Sequence, residues 1–248
     1  MKKYAFISLI VLLAGCGDKK AVYTPKPVQE APPAQVKEGE EATLFPFKEG
    51  NTWTYRVQVV AGVAGRQLPP DEREVTMKVS KVETTPDGVR AHLDIIQKDE
   101  VRDRQVWATN KLGIYQVAIG KDKPVYTAPP QPVILFPIKE DDTFNWKGWG
   151  MSALGKPADT EASSKILGPQ EVDTLMGSMN AIAVESDSKV KSGTESADVR
   201  STYYWTPKVG LVRYRQEMLI TIPPGKDQTE PTEARSVTMM ELKSYTVK

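Results

Sequence analysis

Twelve residues of this chain are written twice. Leu44-Phe45-Pro46-Phe47-Lys48-Glu49-Gly50-Asn51-Thr52-Trp53-Thr54-Tyr55 returns as Leu135-Phe136-Pro137-Ile138-Lys139-Glu140-Asp141-Asp142-Thr143-Phe144-Asn145-Trp146, with six identities and aromatic-for-aromatic exchanges near the end. A second pair follows in the same order, Thr109-Asn110-Lys111-Leu112-Gly113-Ile114 against Thr206-Pro207-Lys208-Val209-Gly210-Leu211, each close behind a tryptophan, Trp107 or Trp205. The first pair is offset by 91 residues and the glycines of the second by 97, so the blocks are collinear within one small insertion. Collinear repeats imply that the second unit folds as the first does. The units fall at residues 44–134 and 135–248, packed together as one domain.

Within the units the pattern is that of strands. Trp53, Tyr55, Val57 and Val59 alternate with Thr54, Arg56 and Gln58, the period of a strand with one buried face. Val75, Met77 and Val79 repeat the alternation, as do Ala91, Leu93 and Ile95, and Asp87-Gly88 between them marks a hairpin turn. Further strands are expected over 101–109, 113–119, 179–185, 199–205, 210–222 and 237–245. No stretch keeps a helical period for three turns, which leaves room only for a short helix near 152–160. Pro69-Pro70, Pro129-Pro130 and Pro223-Pro224 are expected between strands, where a missing N–H does least harm. The fold class is therefore all-β: antiparallel meanders, internally duplicated, forming a curved sheet, an open barrel or a sandwich.

The first 43 residues have a different logic. Met1-Lys2-Lys3 is basic and Tyr4 to Leu13 is apolar, too short at about 1.5 Å per residue to cross a ~30 Å hydrocarbon core. That is a secretory signal segment, residues 1–15. Leu13-Ala14-Gly15-Cys16 then closes it with the chain's single cysteine. This resembles the lipobox of bacterial lipoproteins, which implies lipidation of Cys16, cleavage before it and acylation of the new N-terminus. Gly17 stands where an aspartate would favour inner-membrane retention, so the resemblance implies an outer-membrane anchor facing the periplasm. Pro25, Pro27, Pro32 and Pro33 alternate with lysines and glutamates, and residues 16–43 read as a disordered tether reaching roughly 80 Å at ~3.1 Å per residue. With Cys16 lipidated no disulfide remains, so the exported domain is held by core burial alone.

Charge and residue chemistry exclude much. Loss of Lys2 and Lys3 with the signal leaves 31 basic against 32 acidic residues, a near-neutral balance without the basic stripe that nucleic acid requires. His92 is the only histidine, on the polar side of its strand and without a Gly-x-Ser-x-Gly elbow, so nucleophilic triads are not expected. One histidine and a lipidated cysteine leave no zinc or copper set, and no cofactor is called for beyond the covalent lipid. Glu140, Asp141 and Asp142 sit at the repeat position of Gly50-Asn51 and read as turn residues rather than a glycosidase pair or calcium loop. Asp99 to Arg104 reads as an exposed ion-paired hairpin, and Gly225-Lys226-Asp227 lacks the rest of a phosphate-binding loop.

Phe45-Pro46-Phe47-Lys48-Glu49-Gly50-Asn51-Thr52-Trp53-Thr54-Tyr55, Gly168 to Val172, Tyr204-Trp205-Thr206-Pro207-Lys208-Val209-Gly210-Leu211-Val212-Arg213-Tyr214 and Glu241 to Tyr245 resemble a group of bacterial secreted β domains that opens with "P-L-x-x-G-x-x-W-x-Y". The resemblance implies an envelope β domain akin to lipoprotein-carrier folds, and neither an activity nor catalytic residues. What remains is aromatic. Trp53, Tyr55, Trp107, Trp146 and Trp205 pack a core or line a cleft for a lipid, glycan or peptide. The expectation is a non-enzymatic envelope lipoprotein that binds a partner protein or serves envelope assembly, with a carrier of a hydrophobic ligand or glycan as the alternative.

Overall fold

The computed structural model describes residues 41–224 and 229–248; the signal segment, Cys16, the tether through residue 40 and Gly225-Lys226-Asp227 lie outside them. In the first half the strands are β1 (Thr52–Val63), β2 (Arg66–Gln67), β3 (Asp71–Thr85), β4 (Gly88–Gln97), β5 (Glu100–Asn110), β6 (Gly113–Ile119) and β7 (Val125–Leu135). The second half holds β8 (Thr143–Met151), β9 (Pro157–Thr174), β10 (Gly177–Ser192), β11 (Glu195–Thr206), β12 (Gly210–Ile222) and β13 (Thr232–Thr246). Sequential strands pair antiparallel, with β1 reaching past the two-residue β2 to β3. β13 then returns to β1 in a ladder from Thr246 opposite Thr52 to Ala234 opposite Val63. The sheet is thereby a closed 12-strand barrel with β2 as an extra strand. Closure covers the outer edges of β1 and β13, and only the β7–β8 seam, joined at Ala128 and Trp149, is sparsely paired.

Each half contributes six strands, and their local geometry repeats. Gly50 N–H donates to the Val79 carbonyl and Val79 N–H to that of Asn51, both at 2.9 Å. Asp141 N–H donates to Ile166 O at 2.8 Å, and Ile166 N–H to Asp142 O at 2.9 Å. Gly50 and Asp141 both take positive φ, 87° and 68°, so Asp141 is a turn residue at the repeat position. The register also shifts at matched places, between Val106 and Trp107 and between Tyr204 and Trp205.

Three local expectations change. Glu41–Leu44 is a 3-10 turn, and Lys208 N–H donates to Thr43 O at 2.8 Å, so order begins inside the span assigned to the tether. Residues 157–174 are the longest strand, not a helix. Its inward positions are small, Ala158, Thr160, Ala162 and Ser164, so the alternation is not apolar. Pro129 and Pro130 lie within β7 rather than between strands. They are tolerated because β7 meets β8 through a single bridge, Ala128 opposite Trp149, and few donors are needed there.

The outer wall is charged. Arg56 pairs with Glu241 at 2.6 Å, Arg104 with Asp94 at 2.9 Å, Lys147 with Glu161 at 2.6 Å and Arg200 with Asp187 at 2.8 Å, all across neighbouring strands. A lipid-facing barrel carries an apolar band in that place. Among the described residues no helix is long and apolar enough to cross a membrane.

Candidate functional site in the barrel lumen

One end of the barrel is plugged. Period-two alternation sends Trp53, Tyr55 and Val57 of β1 inward, and the preceding Leu44 and Phe45 fold back beneath them, all but fully buried. The Phe45 ring sits 5.2 Å from Trp53, 5.5 Å from Trp107 and 5.3 Å from Trp205, mostly edge-on. Trp53 Nε1 donates to the Val209 carbonyl at 2.5 Å, and Tyr55 Oη to that of Leu211 at 2.9 Å. Gly210, at φ 112°, lies against this floor: a Cβ there would meet Trp53 Nε1 at 3.1 Å and Phe45 at 3.2 Å.

Above the floor the barrel is hollow. Tyr55, Trp107, Tyr203, Leu211 and Tyr214 form the base of a cavity of about 440 Å³. At its other end Ser152, Ala153 and Gly155 of the β8–β9 turn border it. That turn is fastened by Ser152 Oγ donating to Lys156 O at 2.8 Å and by a 2.6 Å ion pair between Lys156 and Glu195. A twelve-strand barrel is wider than the eight-strand kind that side chains can just fill. Here the inward residues halfway up β9, β10 and β11 are also small, among them Ser164, Ser186, Ser188 and Ser201. The volume lies within the usual range of ligand sites, ~300–1,000 Å³.

The lining mixes apolar surface with neutral polar groups. Ser164 Oγ donates to Ser186 Oγ at 3.0 Å, Ser201 Oγ and Tyr214 Oη are 3.4 Å apart, and Trp107 Nε1 donates to Gln105 Oε1 at 2.9 Å. Burial pushes the Tyr55, Tyr203 and Tyr214 hydroxyls above the usual phenol range, so all three are neutral donors. Three charges border the space. Arg73 on β3 is buried, paired with Asp71 at 2.8 Å, and desolvation lowers its pKa against the pull of that carboxylate. Arg102 pairs with Glu100 at 2.7 Å. Desolvation raises the pKa of Asp103.

The aromatic set divides on this frame. Tyr55 and Trp107 line the cavity, while Trp53 and Trp205 are behind them in the packed floor. Trp146 is apart from both: its Nε1 donates to Pro129 O at 3.2 Å across the β7–β8 seam, and its ring lies over Gly148, 2.4 Å from where a Cβ would stand. His92 projects from the wall with Nε2 3.5 Å from the Glu83 carboxylate. Asp141 is tied to Lys165 at 2.6 Å in its turn. No group of three histidine, cysteine or acidic side chains disposed to hold a metal is found among the described residues. Sequence reading missed the serines and glutamines of the lumen. Their signal was alternation of charged with uncharged residues: Asp187, Lys189 and Arg200 outside, Ser186, Ser188 and Ser201 inside.

No family model matches the chain, and no curated protein matches it. Among solved structures it is similar to a candidate lipoprotein from Parabacteroides distasonis, with a TM-score of 0.48, 12% identity, and 82% of this chain and 98% of that one covered. It is also similar to a candidate exported protein with a YmcC-like fold from Bacteroides fragilis (TM-score 0.39, 12% identity, 82% and 98% covered). The hypothetical lipoprotein YmcC from Escherichia coli shares 6% identity at a TM-score of 0.36, over 82% of this chain and 89% of that one.

Proposed function

We propose that this chain is a non-enzymatic lipoprotein of the cell envelope, anchored through lipid on Cys16 in the outer membrane and facing the periplasm, whose barrel holds a small ligand in its lumen. The anchor reading is supported by Leu13-Ala14-Gly15-Cys16 after a short apolar run. The observation that carries the ligand reading is the cavity of about 440 Å³ walled by a closed barrel. A domain stabilised only by burial would gain by filling that space with aliphatic side chains. Serines there forgo such packing and leave a chamber whose apolar lining is interrupted by polar groups. Two or three acyl chains at ~0.8 kcal/mol per buried methylene would make the anchor permanent.

Native mass spectrometry of the protein recovered from envelopes tests the reading. A reproducible added mass that dissociates from the chain is expected, and a bare chain under all solution conditions counts against a resident ligand. Cys16→Ala is expected to abolish metabolic labelling by palmitate and release the protein from the membrane fraction.

A second reading, docking of a partner protein, has its own observation. The outer face of β8 to β13 is concave, with Lys147, Glu161, Asp187, Arg200, Glu217 and Arg235 along it. Crosslinking in intact envelopes is expected to recover a specific partner under this reading, and charge reversal at Arg200 to reduce the yield.

A further inference from the structure

The geometry points to a neutral, hydroxyl-rich ligand of saccharide type as the occupant of the lumen, held by the glutamine amides of the wall over an aromatic base. This rests on the ligand reading above and names its chemical class.

Five glutamines face the cavity from five different strands: Gln97, Gln105, Gln116, Gln131 and Gln216. Gln105 is occupied by Trp107, and Gln216 bonds Tyr214. Gln97, Gln116 and Gln131 make no side-chain hydrogen bond to another described residue. An amide offers two donors and an acceptor with two lone pairs, and interior amides are ordinarily satisfied by protein or ordered water. Three uncommitted amides turned toward one chamber leave that capacity for an occupant.

A fatty acyl chain could not use it. Each amide stripped of water and set against methylenes would cost about 1–3 kcal/mol. An anionic ligand fits less well too, because Arg73 and Arg102 have acidic partners in Asp71 and Glu100, and Asp103 adds a carboxyl. A neutral polyol answers the polar groups of the lining. Its hydroxyls donate and accept alternately, as an amide and a serine hydroxyl do. Its C–H faces suit the Trp107 and Tyr203 rings, whose π faces are electron-rich.

The charge pattern in the wall supports the same occupant. On β10 and β11 Asp187, Lys189, Asp198 and Arg200 point outward, while the inward positions between them are Ser188, Val190, Val199 and Ser201. On these two strands the charged side chains stay outside and only neutral ones face the chamber.

The test is saturation-transfer NMR with calorimetric titration of the full chain against cellobiose, maltose and diacetylchitobiose, with palmitate in parallel. At least one disaccharide is expected to bind, with saturation transferred to its ring protons. Gln116→Leu and Gln131→Leu should each weaken that binding about tenfold or more. Because neither amide holds a protein partner, melting temperature should be unchanged or raised, which separates lost binding from lost fold. Palmitate binding without any disaccharide overturns the saccharide assignment and leaves the ligand reading standing. Binding of neither kind overturns both, and disaccharide binding untouched by the leucine variants overturns the lumen as its site.

Discussion

Tyr55 and Leu211 join the two repeats through a buried hydrogen bond: the phenol of β1 donates to the carbonyl of β12 at 2.9 Å, across a sequence separation of 156. Trp53 and Val209 make the parallel contact one layer down. Tyr55→Phe keeps the ring and strands the Leu211 carbonyl, so a loss of about 1–3 kcal/mol is expected in urea unfolding, with the slope unchanged.

The same floor predicts an alkaline limit. Burial raises the phenol pKa of Tyr55, Tyr203 and Tyr214 above the ordinary value of 10.0. Below pH 10 folded and unfolded chains both keep these protons, and the stabilisation is complete. Above it the unfolded chain releases them first, so stability falls as pH rises toward the folded values. Melting temperature is expected to drop steeply above pH 10, and less steeply in a Tyr203→Phe/Tyr214→Phe double variant. An equal slope in both proteins would contradict this.

Asp103 predicts a term of the same sign in the acid range. Desolvation raises its pKa above 3.8, so its contribution to stability is complete below that value and is lost as pH rises through the folded pKa. At pH 7 the carboxylate is therefore a cost. Asp103→Asn should stabilise the barrel at neutral pH and give no gain at pH 3, as two thermal melts would show.

Trp53 and Trp205 are both buried, yet they differ in one hydrogen bond. Trp53 Nε1 has the Val209 carbonyl, whereas Trp205 Nε1 has no partner among the described residues. Replacement by Phe removes similar apolar area from each, so Trp53→Phe should cost about 1 kcal/mol more than Trp205→Phe. Gly210→Ala belongs to the same cluster. At φ 112° with Trp53 and Phe45 within 3.2 Å of its new methyl, a loss of about 1–3 kcal/mol is expected.

The strands with apolar alternation were legible, as were the turn at Asp141 and the symmetry of the halves. β7 and β9 were not. The middle of β9 faces the chamber, so Thr160 and Ser164 take the place of valines and leucines, and only further along do Ile166 and Val172 enter the core. β7 carries Pro129, Pro130 and Pro132 because its neighbour on one side asks for few N–H groups. Closure was out of reach for a related reason. The β1–β13 ladder depends on the shear of all twelve strands, and no local pattern encodes it. Of the aromatics that the sequence singles out, Tyr55 and Trp107 line the lumen, whereas the lumen glutamines carry no comparable signal, since one amide at period two looks the same facing water or a cavity.

The seam between the halves is the weak line of the barrel. β13 and β1 are laddered from Thr52 to Val63, while β7 and β8 share only the bridge at Ala128 and Trp149. Trp146 spans the remainder, with its indole on Pro129 O and its ring over Gly148. Native-state hydrogen exchange should therefore find lower opening free energies for amides of β8 that face β7 than for amides of β1 that face β13. Trp146→Ala removes both the bond and the ring, with an expected cost of about 3–5 kcal/mol. Exchange in that variant should accelerate first in β7 and β8, since the seam has little else to hold it. Gly148→Ala tests the same packing from the other side, because its methyl would stand 2.4 Å from the Trp146 ring and 2.8 Å from the Ala128 carbonyl. If acceleration instead began in β1 and β13, the closing ladder would be the weaker joint and Trp146 merely a core residue.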